Sequence, residues 1–179
     1  MRTLKYAILG LINREPMTGY DITREFNSNA LANFWYAKHS QVYPELGRLM
    51  KEELVTCEVV IQGEKMEKKL YSITKKGQQE LQEWLMVEEP LAPTPKDVFR
   101  LRLYFSDFMS KEGLKTHLND QIQKHTMKHR YLSDIMERNY QWFCPPAGTK
   151  ECGDYMVLEG AILRESSYLQ WLNNCLKRI

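Results

Sequence analysis

At 179 residues, 43% apolar and 27% charged, the chain has the composition of an ordinary soluble protein, long enough for one domain or two small ones with real cores. No apolar run approaches a membrane span, and the N-terminus lacks the long apolar stretch of a secretory signal. A net charge of +2 permits nucleic-acid binding without announcing it, so any basic surface must be local.

Leu4, Ala7, Ile8, Leu11 and Ile12 recur at helical spacing, which predicts an opening amphipathic helix. Pro16 pushes Glu15 out of helical geometry and ends it. Thr18 is placed to cap a second helix running to about Asn27, with Asp21 in its first turn and Ile22 and Phe26 as its buried stripe. A connector from Ser28 to Lys38 carries Phe34, Trp35 and Tyr36. A third helix follows, with Ser40 as the expected N-cap and Pro44 in its first turn. Its later half, Leu46, Leu49, Met50 and Leu54, is an apolar stripe suited to a core. Its start, from His39 to Tyr43, is instead polar and aromatic. A helix anchored at one end and presenting its first turn outward has the geometry of a recognition helix.

The period then changes. Residues 56–61 are rich in β-branched side chains and read as a strand, 62–64 as a turn with a glycine, and 66–73 as the returning strand. Lys65, Lys68, Lys69, Lys75 and Lys76 outnumber Glu64 and Glu67 over this stretch, so the hairpin is basic. A basic hairpin after a candidate recognition helix makes a winged helix-turn-helix, in which the helix enters a groove and the wing lies on phosphates. Thr74 is the expected cap of a fourth helix carrying Leu81, Trp84 and Leu85. Three prolines between Glu89 and Pro95 then form a semi-rigid spacer. The expected organisation is a DNA-binding domain over 1–88, a linker over 89–95, and a helical domain over 96–179.

These residues resemble the PadR family of transcriptional regulators. The resemblance rests on Gly19-Tyr20-Asp21-Ile22, on Ser40, Tyr43, Pro44, Leu46 and Leu49 in the third helix, on Glu53-Leu54-Val55 at its exit, and on the run Lys68-Lys69-Leu70-Tyr71 with Ile73, Thr74 and Gly77. It covers residues 1–86 strongly and the remainder in outline, as the longer type with a C-terminal helical domain. That type includes phenolic-acid-responsive repressors and a virulence activator. Glu53 stands where many members carry glycine. The resemblance implies a homodimer on pseudo-palindromic double-stranded operators, mostly as a repressor. With the residue pattern, it makes Tyr20, Lys38, Ser40, Gln41, Tyr43, Lys65, Lys68 and Lys69 the expected DNA-binding residues.

Beyond the linker, residues 96–106 read as a helix burying Val98, Phe99, Leu103 and Phe105. Ser110 caps a long helix to about Tyr140, whose Leu118, Ile122, His125, His129, Leu132 and Met136 step by four and three. After the Pro145-Pro146 connector, a last helix from about Gly153 repeats the seam with Tyr155, Leu158, Ile162, Glu165, Leu169, Leu172, Leu176 and Ile179. Two such seams predict intrachain packing extended by a second copy. The expected dimerisation residues are Leu118, Ile122, Leu132, Met136, Leu158, Ile162, Leu169, Leu172 and Leu176. A dimer would set the two recognition helices about one DNA turn, or roughly 34 Å, apart.

Three readings are open for His125 and His129: a chelating pair, a polar layer with Glu165 that sets register, or a layer titrating near neutrality. Trp142, Phe143, Tyr168 and Trp171 are read as core first and as walls of a pocket for a flat aromatic effector second. Four cysteines without a CxxC pair point to a reducing cytoplasm and away from a zinc site or disulfide scaffold. No phosphate loop, nucleophile elbow, carboxylate pair or metal signature appears, so neither an enzyme nor a cofactor is expected. The alternative function is a winged-helix protein–protein interaction module without DNA binding.

Overall fold

Helix α1 (Thr3–Arg14) turns Ile8, Leu9, Leu11 and Ile12 into the core of the first of two units, Met1–Leu91 and Ala92–Ile179. The computed structural model describes residues 2–28, 30–62 and 66–179. The division between the units falls inside the proline-rich stretch.

Glu15 is extended (φ −162°, ψ 152°), the conformation a following proline favours. A short strand then forms that alternation of side chains did not reveal. This strand, β1 (Met17–Thr18), pairs antiparallel with the hairpin's returning strand at Met17↔Tyr71 and Thr18↔Leu70. Two residues are too few to show a period. Thr18 also caps α2 (Gly19–Ser28): its hydroxyl accepts from the Asp21 amide at 3.2 Å and donates to the Asp21 carboxylate at 2.6 Å. A 3-10 turn over Ala30–Asn33 leads to α3 (His39–Lys51).

Strands β2 (Val55–Gln62) and β3 (Met66–Ile73) form the hairpin, and the three-stranded sheet runs β1-β3-β2. Thr74 caps α4 (Lys75–Leu85) by accepting from the Gly77 amide at 3.0 Å. Gly77 is obligatory here, because a Cβ would stand 2.2 Å from the Leu54 carbonyl oxygen. Phe26, Ile22, Leu46, Leu49 and Leu54 are fully buried at the centre of this unit. Met50, expected in that stripe, is exposed on the far side of α3.

In the second unit, Asp97 caps α5 (Val98–Tyr104) through the Arg100 amide at 3.0 Å. The expected burial on this helix does not occur: Val98 and Phe105 are exposed, and Phe99 and Leu103 are half-buried. Seven residues make two turns, and within one chain only the side facing Tyr168 and Trp171 is covered. A 3-10 turn (Ser106–Phe108) precedes α6 (Lys111–Tyr140), which is capped by Ser110. Helix α7 (Lys150–Leu176) starts before the expected Gly153, because the Thr149 hydroxyl accepts from the Cys152 amide at 3.2 Å.

Helices α6 and α7 pack antiparallel. Leu132 and Met136 meet Tyr155, Leu158, Ala161 and Ile162 in one buried cluster, and Leu118 and Leu172 are also fully buried. Ile122, Leu169 and Leu176 are half-buried. Much of the seam expected at the dimer interface is therefore covered within one chain, and Ile122, Leu169 and Leu176 are the members left partly open. Mid-seam, His125 Nδ1 lies 2.5 Å from Glu165, Lys128 lies 2.9 Å from the other Glu165 oxygen, and His129 Nε2 lies 2.9 Å from Ser166. Ser166 donates to the Ile162 carbonyl at 3.0 Å, so His129 is the donor to Ser166. The two histidines take different partners, and among the described residues no group of three or more His, Cys, Asp or Glu side chains is placed to hold a metal.

Candidate nucleic-acid interface

The back of α3 is fixed and its front is open. Val42, Leu46 and Leu49 are fully buried, while Lys38, His39, Ser40, Gln41 and Tyr43 are exposed. The helix begins at His39, two residues earlier than a Ser40 cap implies, with Lys38 in the extended N-cap position (φ −81°, ψ 153°). Gln41 replaces the serine cap: its side-chain oxygen accepts from the Lys38 amide at 2.9 Å. That is half of a capping box, and it leaves the Gln41 amide NH₂ as the end able to donate outward.

The earlier start moves Pro44 out of the first turn and into the helix. Pro44 has no N–H, so the Ser40 carbonyl lacks its helical donor. Glu45, one residue on, is buried and bridged by Arg48 at 2.7 Å, with Arg2 at 3.6 Å. These contacts tie the middle of α3 to the start of the chain.

Tyr43 is the hinge of the surface. Its ring lies 4.2 Å, centroid to centroid, from His39 and covers Gly19 at the start of α2. A Cβ on Gly19 would stand 2.8 Å from the Tyr43 ring. This approach brings Tyr20, 67% exposed, to the same end as the first turn of α3. Gly19 and His39, which shape this surface, were not among the expected DNA-binding residues, although His39 was read as part of the polar start of the helix. The Gly19-Tyr20 motif and the i, i+4 spacing of His39 and Tyr43 were the available signals.

The wing is arranged less simply than a cluster of lysines suggests. Lys69 lies opposite Val59 and Lys68 opposite Val60, and adjacent strand residues point to opposite faces. Lys69 shares the face of Tyr71 and is exposed; Lys68 is half-buried on the other face. The two do not form one patch. Lys65 lies outside the described residues. Lys76 is committed to the helix exit, bonding the Glu52 carbonyl at 2.8 Å.

At that exit Glu53 adopts φ 61°, the left-handed conformation that glycine takes without cost. The Leu54 amide reaches the Leu49 carbonyl at 2.9 Å and Glu53 the Met50 carbonyl at 3.1 Å, a Schellman-type closure. A charge network braces the same corner. Glu52 accepts from Arg2 at 2.7 Å and pairs with Lys5 at 3.4 Å, and Lys5 also pairs with Glu80. Arg2 and Lys5 together hold the Glu52 carboxyl below its ordinary range, against the opposing effect of burial.

An anchored third helix, an outward first turn and a hairpin wing define the class of winged-helix transcriptional regulators. Residues 8–83 match the model of the transcriptional regulator PadR-like family, and residues 95–179 match that of the virulence activator alpha C-terminal domain. The chain is 42% identical to the negative transcriptional regulator PadR of Bacillus subtilis, over 100% of this chain and 98% of that one. The crystal structure of B. subtilis PadR with operator DNA superposes with a TM-score of 0.92, at 41% identity and covering 100% and 99% of the two chains. That of the same protein with p-coumaric acid gives 0.85, at 38% identity and covering 99% and 98%. The chain belongs to the PadR family of transcriptional regulators, and no described helix is long and apolar enough to cross a membrane.

Proposed function

We propose that this chain is a homodimeric repressor that binds a pseudo-palindromic operator through the first turn of α3 and the wing, and releases it on binding a small aromatic effector. The observation carrying the reading is likeness over the whole chain, TM-score 0.92, to a regulator solved on its operator. In this reading Gln41, Tyr43 and Ser40 reach base edges or phosphates, Tyr20 and Lys38 reach flanking phosphates, and Lys65, Lys68 and Lys69 hold the backbone through the wing. Its place of action is the cytoplasm, where the operator lies.

Outward apolar side chains in the second unit support a dimer. Met127 and Tyr131 on α6 and Met156, Val157 and Leu163 on α7 are all exposed, and a second copy would bury them. Support for the effector comes from the relative solved with p-coumaric acid. In this chain Tyr168 stands between His125, at 4.3 Å, and Trp171, at 5.0 Å, with the Arg100 guanidinium 5.8 Å from its ring. Aromatic faces beside a cation suit a flat aromatic acid.

The test is a gel shift with DNA upstream of the protein's own coding region, with and without p-coumaric acid, followed by selection of bound fragments from the producing genome. Binding confined to a two-fold repeat and weakened by the acid is expected. No preference over random DNA would favour the protein–protein module instead.

A further inference from the structure

We propose that Cys144 and Cys152 are a modification site, a dithiol that exchanges with low-molecular-weight disulfides and closes a bridge across the α6–α7 connector. Their sulfurs lie 3.9 Å apart, and theirs is the one cysteine–cysteine contact among the described residues. The sequence offers no CxxC signature for it, since the contact depends on how the connector turns back.

Two consecutive left-handed residues, Gln141 (φ 48°) and Trp142 (φ 60°), reverse the chain after α6. The Tyr155 hydroxyl then holds the Trp142 carbonyl at 3.5 Å. Gly148 (φ 85°) and the Thr149 cap return the chain into α7. Cys144 is thereby laid over the first turn of α7, where Cys152 sits.

The two sulfurs differ in access. Cys144 is exposed on the irregular connector, whereas Cys152 is 5% exposed and fixed by its helix. A disulfide of about 2.05 Å needs the sulfurs to close by about 1.9 Å, a movement the connector side can supply. A metal reading lacks ligands, because no group of three or more His, Cys, Asp or Glu is placed to hold one among the described residues.

Access also sets the order of steps. The Cys144 thiolate attacks a small disulfide, forming a mixed disulfide and expelling one thiolate. The Cys152 thiolate then attacks the Cys144 sulfur and expels the second. Both protein sulfurs are oxidised, the small disulfide is reduced to two thiols, and the two cysteine protons end on those thiols. Desolvation, the hydrogen bond with Cys152 and the charge of Glu159 hold the Cys144 thiol above its ordinary range. Exchange is therefore slow at neutral pH and quickens by roughly tenfold per pH unit while the thiolate is the minor form.

The test treats the reduced full-length protein with oxidised glutathione and follows intact mass and peptide maps. The wild type should lose two hydrogens without an adduct and yield a linked Cys144–Cys152 peptide. Cys152→Ser should stall with glutathione on Cys144, while Cys144→Ser should leave Cys152 unmodified. Circular dichroism checks that both isosteric variants fold. A stable adduct on wild-type Cys144, equal labelling of Cys152 in Cys144→Ser, or a product dominated by interchain linkage would each overturn the proposal.

Discussion

Gly19→Ala tests whether the aromatic at the front of α3 reads DNA, without touching α3 itself. The added Cβ would lie 2.8 Å from Cζ, 2.9 Å from Cε1 and 3.0 Å from Oη of Tyr43. Ordinary contact begins near 3.4 Å, so the ring must retreat by about 0.6 Å, dragging the adjacent His39 ring with it. Tyr43 is 41% exposed and has room to move. The fold loses little, and alanine's higher helix propensity offsets part of that by up to about 1 kcal/mol. Stability should therefore change by less than about 1 kcal/mol, within the range of surface substitutions that break no core feature. Operator affinity should fall by about 1–3 kcal/mol, roughly 5- to 150-fold, the scale of one misplaced base or phosphate contact. The assay is fluorescence anisotropy on operator DNA, run as a cycle with Tyr43→Ala. In the Tyr43→Ala background Gly19→Ala should cost nothing further, because the ring it displaces is gone. Equal losses in both backgrounds would refute the argument that Gly19 acts by seating Tyr43.

Three further outcomes follow from the same geometry. Lys69→Ala should weaken operator and random DNA alike and lower the slope of log affinity against log salt by about 0.9 per contact, twice that for a dimer; an effect confined to the operator would make Lys69 a base reader. Glu53→Gly relieves a left-handed glutamate and gives up only an exposed ion pair with Lys76 at 3.6 Å. It should raise stability by about 1 kcal/mol and the melting temperature by about 2–4 °C, measured calorimetrically. Glu165 is buried, and despite that burial His125 and Lys128 hold its carboxyl below the ordinary range. A depressed folded pKa stabilises above the unfolded value of about 4.3 and is lost as pH falls through the folded value. Glu165→Gln should thus cost about 1–3 kcal/mol at pH 7; its deficit in urea melts should shrink below about pH 4, and a deficit constant from pH 7 to 3 would contradict this.

What was legible in the sequence was whatever short-range chemistry decides. Thr18, Thr74 and Ser110 cap the helices their positions predicted, because a hydroxyl three residues before an orphan amide needs no tertiary help. The first hairpin strand was legible because β-branched residues fill most of 56–61, inside the observed Val55–Gln62. Ser40 does not cap α3 because a competing solution, Gln41 reaching back to Lys38, is equally local and forms instead. Strand β1 and the contact of Gly19 with Tyr43 were hidden for a different reason: each is made by partners distant in sequence. On the wing, lysine count was legible but direction was not, since only the register Val59↔Lys69 settles which lysine shares the face of Tyr71.

The long helices show why a heptad seam alone does not name its partner. A stripe repeating by threes and fours states that a helix must be covered, and either a neighbour in the chain or a second copy meets that need. Here the neighbour does, and the polar layer accounts for the pairing being unique. A slip of one turn along α6 would carry His125 and Lys128 past Glu165, leaving a buried carboxylate without donors, at a cost of about 3–5 kcal/mol for such a broken pair. Apolar layers such as Leu132 against Leu158 tolerate such a slip far better, so hydrophobic burial supplies the stability and Glu165 fixes the register. With α6 and α7 locked, Met127, Tyr131, Met156, Val157 and Leu163 stay in fixed positions on the outer surface. In the dimeric reading, that fixed outer face is the surface a second copy covers.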